Sequence, residues 1–402
     1  MQKKVLIITA VFPPEPVVSA TISRDIANEL ATTENVEVFC PRPTRPMGYK
    51  FNLNYKNFIA KYKVVYSNSY TCPESKIYGR VKENFSFGIN CLKYIKGNYN
   101  DLKIIYINVW PLISQAIIIK ISKKYKIPCI LHVQDIYPES YTNKLPSLIK
   151  KIINYLVIPV DKYVLNNCSS IIAISENMKI KLSTTRNINS DKISVVSNWQ
   201  NENDFCSRAK DLKEEVDKLF TFMYLGNIGP LAGVDFLIEC YFKAKIPNSR
   251  LVIAGSGSQK NYCQNFALTI NVSHVEFWDV PEGTVSTIQA ESDVMLLPVR
   301  KGGAITSIPS KLPAYMFSAK PIIGSVDLES DTSKTIYNSN CGLVVAPENE
   351  NLLIDAMWKM SKMSKDNLHS LGMNGYNYAL KNFSKKANIK KIISLFNSSI
   401  KI

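Results

Sequence analysis

Lys311 is the side chain whose surroundings in the sequence point most directly to chemistry. It stands in residues 307–324, Ser-Ile-Pro-Ser-Lys-Leu-Pro-Ala-Tyr-Met-Phe-Ser-Ala-Lys-Pro-Ile-Ile-Gly. Pro309-Ser310-Lys311 opens a short helix, and Ala319-Lys320-Pro321 closes it before an apolar strand. Ser310 and Lys311 thus fall at a helix start, where unpaired N–H groups favour an anion. The ammonium adds a full charge there, and a diphosphate is the ligand that suits such a spot. Read on its own, the segment fits equally well an ordinary αβ unit whose lysine faces water.

The elements that would hold this lysine repeat through the chain. Lys4–Ala10 is a buried-strand pattern, followed by the loop Phe12-Pro13-Pro14-Glu15-Pro16, a helix over Thr21–Leu30 and a strand over Val36–Phe39. The second half opens alike: strand Phe220–Leu225, loop Gly226-Asn227-Ile228-Gly229-Pro230, helix Val234–Lys243, then strand Leu251–Ala254 ending in Gly255-Ser256-Gly257. This is the βαβ unit of a doubly wound parallel sheet. Further apolar strands are expected at Lys103–Asn108, Cys129–Val133, Ser169–Ile174 and Lys192–Val196, and then at His274–Phe277, Val294–Pro298, Pro321–Gly324 and Gly342–Val345. The expected fold class is α/β: two Rossmann-like domains, 1–200 and 201–384, facing a central cleft. A last helix, 385–402, would cross back onto the first domain. The polar stretch Asn198–Phe205 marks the boundary.

Composition excludes several classes. The 402 residues are 46% hydrophobic and 20% charged, which is the balance of a soluble globular chain. Nothing in it resembles an export signal or a membrane span. Nine scattered cysteines without a Cys-x-x-Cys pair read as reduced thiols of a cytosolic protein, and three distant histidines argue against a metal site. Charge is uneven: residues 1–200 hold 27 Lys+Arg against 13 Asp+Glu, the remainder 22 against 20. Such a field draws anionic lipid or a phosphorylated substrate. Nucleic acid is the weaker choice, because no nucleic-acid-binding motif accompanies it.

Taken together, the motifs resemble a known family. They are Phe12-Pro13-Pro14-Glu15 with Arg24, Asp135-Ile136-Tyr137-Pro138-Glu139-Ser140, Ala173-Ile174-Ser175-Glu176, Ser197-Asn198-Trp199, Gly226-Asn227-Ile228-Gly229 with Gly233-Val234-Asp235, and Pro309-Ser310-Lys311-Leu312 with Tyr315-Met316. In order and spacing these resemble retaining glycosyltransferases of the GT4 type with the GT-B fold. The resemblance is greatest to the bacterial subgroup that builds O-antigen, capsule or colanic-acid-like polysaccharide, the WbuB/WcaI-like fucosamine and fucose transferases. It implies a nucleotide-sugar donor in the second domain, an acceptor in the first, and no metal, since protein cations neutralise the diphosphate leaving group. It points to a UDP-linked deoxy-amino sugar such as N-acetylfucosamine. The implied acceptor is a polyprenyl-diphosphate-linked saccharide at the inner face of the plasma membrane.

The resemblance distributes roles over this chain's own positions. Lys311 and Arg300 are expected to hold the leaving group, and Asp135 and Glu139 to orient the acceptor or donor sugar. Donor contacts are expected from Gly226, Asn227, Gly229, Gly255, Gly257, Trp278, Gly303, Thr306 and Ser310. Pro14, Glu15, Ser19, Arg24 and His132 are expected on the acceptor side. Plainer readings stand beside several of these: a surface Arg300, a solvent-facing Arg24, a hydrogen-bonded core His132, a core Trp278, and a simple turn at Gly255-Ser256-Gly257. The chain also departs from the family. Asn227 and Ala232 stand where many members carry Arg and Lys, Thr306 and Ala314 where many carry two glutamates, Gln134 where a His is frequent, and Val18-Ser19-Ala20 in place of Gly-Gly. Three readings follow: Lys311 with Arg300 or Lys301 takes over, which is the favoured expectation, the donor binds in a different pose, or activity has been lost.

Leu145–Val160 is apolar at helical spacing with Lys150 and Lys151 on one side. With Lys144 and the basic, aromatic stretch Tyr49–Tyr66 it is expected to rest on anionic lipid, a core helix being the plainer alternative. The sequence leaves two other functions open: a non-catalytic nucleotide-sugar-binding protein, and a sugar-nucleotide epimerase with a GT-B-like fold.

Overall fold

In a computed structural model, the structure describes residues 3–45, 61–74, 77–108, 112–142, 145–205, 219–281, 283–303, 305 and 308–400. The chain divides into two units. The first comprises Met1–Asn198 with Asn388–Ile402, the second Trp199–Ala387.

The first unit is a seven-stranded parallel sheet. Its strands are β1 (Lys4–Thr9), β2 (Val36–Pro41), β3 (Lys63–Ser67), β4 (Leu102–Asn108), β5 (Cys129–Val133), β6 (Ser170–Ala173) and β7 (Ile193–Val195), in the order β3-β2-β1-β4-β5-β6-β7. Its helices are α1 (Val18–Leu30), α2 (Ile77–Asn98), α3 (Leu112–Lys124), α4 (Glu139–Thr142), α5 (Ser147–Asn167) and α6 (Glu176–Arg186). The central strands β1, β4 and β5 are almost wholly buried. That is why they read as continuous Ile/Leu/Val runs rather than alternating ones. In α1, Ile22, Ile26 and Leu30 recur every fourth residue and turn inward. The start of α6 is set by Ser175, whose hydroxyl accepts from the Met178 N–H, and its end by Asn187 in the left-handed conformation at φ 55°.

The second unit repeats the plan with β8 (Phe220–Leu225), β9 (Ser249–Ala254), β10 (Val275–Trp278), β11 (Val294–Pro298), β12 (Ile322–Ser325) and β13 (Gly342–Val345), in the order β10-β9-β8-β11-β12-β13. Its helices are α7 (Val234–Ala244), α8 (Lys260–Thr269), α9 (Val285–Ala290), α10 (Lys311–Phe317), α11 (Asp331–Ser339), α12 (Glu350–Ser361) and α13 (Lys365–Asn382). A last helix, α14 (Lys385–Ile400), contributes its residues from Asn388 onward to the first unit. There Phe396 stacks on Tyr106 with centroids 5.9 Å apart, and the Ser399 and Ser170 hydroxyls lie 3.0 Å apart.

The α/β class and both parallel Rossmann-like sheets agree with the sequence pattern. One strand had escaped it. β3 overlaps the end of the stretch read as a lipid-facing surface, and it pairs in register with β2 as an edge strand, Val38 opposite Val64. Residues 49–60 of that stretch, and Lys144, lie outside the described residues. In each sheet the strand order reverses direction between two neighbours, β1/β4 and β8/β11. The loops leaving those strands are where an open parallel sheet offers a crevice.

Candidate active site

The second switch point assembles the clearest site. At the end of β8, Tyr224 is fully buried and donates its hydroxyl hydrogen to the Asn227 carbonyl, 2.6 Å away. Tyr315 of α10 grips the same strand end: its hydroxyl donates to the Leu225 carbonyl at 2.8 Å and accepts from the Leu225 N–H at 2.9 Å. The Lys311 chain passes over Gly226 so closely that a Cβ there would collide with its methylenes. Its ammonium lies 5.0 Å from the centre of the Tyr224 ring. Gly255 in turn backs onto the Gly226 carbonyl, and Gly257 onto the Ile228 backbone, leaving no room for side chains. The Ile228 N–H donates to the Ser256 carbonyl at 2.8 Å, which joins the two glycine loops.

Lys311 is half-buried, and no carboxylate pairs with it among the described residues. Burial lowers its pKa to about 8. A desolvated ammonium without a counter-ion is held at a cost that an anion would relieve. The helix itself adds little: α10 has seven residues, and Ser310 is exposed and makes no side-chain cap. The expected anion site at a helix start is therefore reduced to Lys311 and the backbone around it.

Around this centre, Asn227 is exposed and Gly229 is extended at φ −112°. Gly303 closes a turn by donating its N–H to the Arg300 carbonyl at 2.9 Å. Trp278 is half-buried; its Nε1–H donates to Glu276 at 2.8 Å, the Arg250 guanidinium lies 5.3 Å from its ring centre, and its carbonyl accepts the Gly255 N–H. Thr306 lies outside the described residues.

Arg300 is a correction to the expected leaving-group role. Its Nη2 contacts both Asp235 oxygens at 2.6–2.7 Å, and its Nη1 donates to Glu348 at 2.9 Å. Two carboxylates already neutralise it, so it fastens the loop after β11 to α7 instead of presenting a free charge. The sequence signal was Asp235, two positions into a recognised motif.

In the first unit the structure reassigns three more residues. Glu139 is engaged in an ion pair: its carboxylate accepts from Arg186 Nη2 at 2.6 Å. Arg186 is 1% exposed and also donates to Asp161 at 2.6 Å and to the Tyr137 carbonyl at 2.8 Å. Burial pushes Asp161 up to about 6, against the opposing pull of Arg186. Glu15 is buried, and its carboxylate accepts N–H bonds from Thr44 and Arg45 at 2.8 Å and from Phe12 at 3.3 Å. It ties its loop to the segment that follows β2. His132 is buried against the Tyr106 hydroxyl at 2.5 Å, with burial lowering its pKa to about 3, so it is a neutral core imidazole. Its other nitrogen meets Gln134 at 3.0 Å, and Gln134 accepts from Asn198 at 3.0 Å.

The remaining candidates of that unit lie at strand ends. Asp135 is exposed directly after Gln134, and Pro14 is half-buried in the loop after β1. The Ser19 carbonyl accepts from Asn108 at 3.3 Å. Arg24 is half-buried and sits 3.5 Å from its neighbour Asp25. Sequence reasoning missed Tyr224, Tyr315 as a clamp, and Arg186, since an aromatic in an apolar strand and an arginine near a helix end carry no positional signal.

Residues 19–202 match the family described as Glycosyltransferase Family 4, and residues 220–362 match Glycosyl transferases group 1. No curated protein sequence matches the chain. Among solved structures, sucrose-phosphate synthase (tll1590) from Thermosynechococcus elongatus aligns with a TM-score of 0.73 at 15% identity, covering 99% of each chain. Anabaena Alr3699/HepE in complex with UDP and glucose aligns at 0.70 and 13% identity, covering 99% of this chain and 100% of that one. The lipopolysaccharide outer core galactosyltransferase WaaB aligns at 0.66 and 18% identity, covering 99% of both. These likenesses show a shared fold.

Proposed function

The chain belongs to the family 4, group 1 glycosyltransferases of GT-B fold, and from that premise we propose that it transfers a sugar, with retention, from a nucleoside-diphosphate sugar to a lipid-diphosphate-linked saccharide in surface-polysaccharide assembly. The observation that carries this reading is Lys311, a half-buried ammonium with no carboxylate partner among the described residues, laid over the glycine loop after β8. In the transfer, the bond from the anomeric carbon to the β-phosphate oxygen breaks. A bond from the acceptor hydroxyl oxygen forms on the same face, and the hydroxyl proton passes to the departing phosphate. Negative charge grows on the diphosphate as that bond breaks, and Lys311 with the N–H groups of the glycine loops would stabilise it. Asp135 would orient the acceptor hydroxyl. The donor in this reading is a UDP-linked deoxy-amino sugar such as N-acetylfucosamine; UDP is bound in the Anabaena structure.

Calorimetry with UDP, GDP and dTDP, followed by transfer assays with lipid-linked acceptors, tests the reading. One nucleotide should bind and stabilise the fold. Lys311→Ala should weaken that binding and lower turnover by about 100-fold or more. Wild-type binding by Lys311→Ala would sink the assignment. A second reading, a non-catalytic sugar-nucleotide-binding protein, draws on the paired state of Arg300 and on Ala314 standing where many members carry a glutamate. Donor bound but never consumed would favour it.

A further inference from the structure

The helices on one face of the first sheet present an unusual surface. α3 packs against both α2 and α5. On α5, Leu148, Ile152, Tyr155 and Leu156 recur at i, i+4, i+7 and i+8, so they share a face, yet Leu148 is 69% exposed, Tyr155 82% and Leu156 63%. On α2, Tyr78, Val81, Phe85 and Ile89 form a second stripe, with Tyr78 83% and Phe85 50% exposed. Single exposed apolar residues need no explanation, but a stripe on each of the two helices that flank α3 does.

Charge identifies what would cover them. The three helices carry ten Lys and Arg and only two acidic residues, Glu83 and Asp161. Both acids are buried and paired: Glu83 accepts two bonds from Arg45 at 2.6 and 2.8 Å and one from Arg80 of its own helix at 3.2 Å, and Asp161 is bound by Arg186. These helices thus expose no carboxylate, and their net charge is strongly positive. A second copy docked on it about a twofold axis would set like charges face to face, which disfavours self-association. An anionic bilayer supplies both things the surface lacks: negative headgroups for the lysines, and an apolar boundary for side chains that project instead of lining a groove. Tyr78 and Tyr155, each with a wet hydroxyl and an apolar ring, suit that boundary.

We propose that the outward face of α2, α3 and α5 is a docking surface for an anionic lipid bilayer, with the α2 and α5 stripes entering the headgroup–acyl boundary and the lysines lying among the headgroup phosphates. This deepens the reading of a lipid-linked acceptor and rests on it for its purpose, but vesicle binding needs neither donor nor acceptor. No described helix is long and apolar enough to cross the membrane, so attachment would be peripheral.

Co-sedimentation of the full chain with vesicles of phosphatidylglycerol and phosphatidylcholine (1:1), and of phosphatidylcholine alone, tests it. Binding to the anionic vesicles is expected, weakening as salt rises. The triple variant Leu148→Ser/Tyr155→Ser/Leu156→Ser and the double variant Tyr78→Ser/Phe85→Ser should each lower partitioning by about 10-fold or more. Their melting curves and UDP binding should match the unmodified chain. Three outcomes overturn the proposal: no binding at low salt, vesicle binding unchanged in both apolar variants, or a solution dimer or acidic-protein complex lost in the same variants. Failure of the unmodified chain to bind anionic vesicles while it still binds a nucleotide would remove the docking surface alone. Vesicle binding without any nucleotide binding would remove the transferase reading alone.

Discussion

Lys311 and Arg300 looked interchangeable as cations near the end of the second sheet, and their partners separate them. Arg300 is spent on Asp235 and Glu348. Arg300→Gln should therefore act mainly on stability. A double-mutant cycle with Asp235→Asn should give a coupling of about 1 kcal/mol in denaturant midpoints, since the pair is partly exposed. Lys311, lowered to about 8 by burial, should instead act on ligand binding. In the free protein the ammonium loses its proton as pH rises through about 8, and the anion site loses its charge. Diphosphate affinity should fall between pH 7.5 and 9, with proton uptake on binding in that window. Lys311→Arg, always charged, should flatten the profile, and calorimetry in two buffers reads both effects. A wild-type affinity independent of pH across that range would contradict the role. For stability the sign is the reverse. The folded pKa lies below the unfolded one, so removing the proton relieves a burial penalty and stability rises from about pH 8 to 10.5.

At the scale of elements, the loop between β5 and α4 is held from below. Arg186, at the end of α6, reaches the Glu139 and Asp161 carboxylates and the Tyr137 carbonyl, so three segments meet on one guanidinium. Arg186→Met would leave two carboxylates facing an apolar side chain and should cost about 3–5 kcal/mol. Hydrogen exchange should rise first in 135–142 and α6. The neighbouring strand β5 carries His132, whose pKa of about 3 means the folded state refuses a proton that the unfolded chain accepts below about 6.5. Its contribution is present above pH 6.5 and is lost as pH falls, by about 1.4 kcal/mol per unit while the unfolded form alone is protonated. His132→Gln should have a shallower decline of denaturant midpoint between pH 6.5 and 4, and equal slopes would show that another group controls it.

Across the whole molecule, the parallel sheets were legible because buried strands leave an unmistakable apolar signature: β4, β5 and β11 stand where their Ile/Leu/Val runs put them. β3 was not legible. Val64 and Val65 are flanked by Lys63 and Tyr66, and an edge strand needs only one buried neighbour. The glycine loops and Lys311 were visible as residue types, because a backbone that must approach its neighbour excludes Cβ. The occupations of Arg300, Glu139, Glu15 and His132 were not, since ion pairs such as Arg186–Glu139 span 47 positions and no local pattern records them. The same long-range logic governs α14. Its spacing shows an amphipathic helix, while its partners, Tyr106 and Ser170, lie more than 200 residues earlier. Because Ile392 and Phe396 are buried in the first unit, Phe396→Ala should remove about 3–5 kcal/mol from that unit alone. Calorimetric unfolding should then split, with one transition moving down in temperature and the other staying in place. A uniform shift of a single transition would mean that the two units unfold together, so that the last helix couples their stabilities rather than closing the core of one.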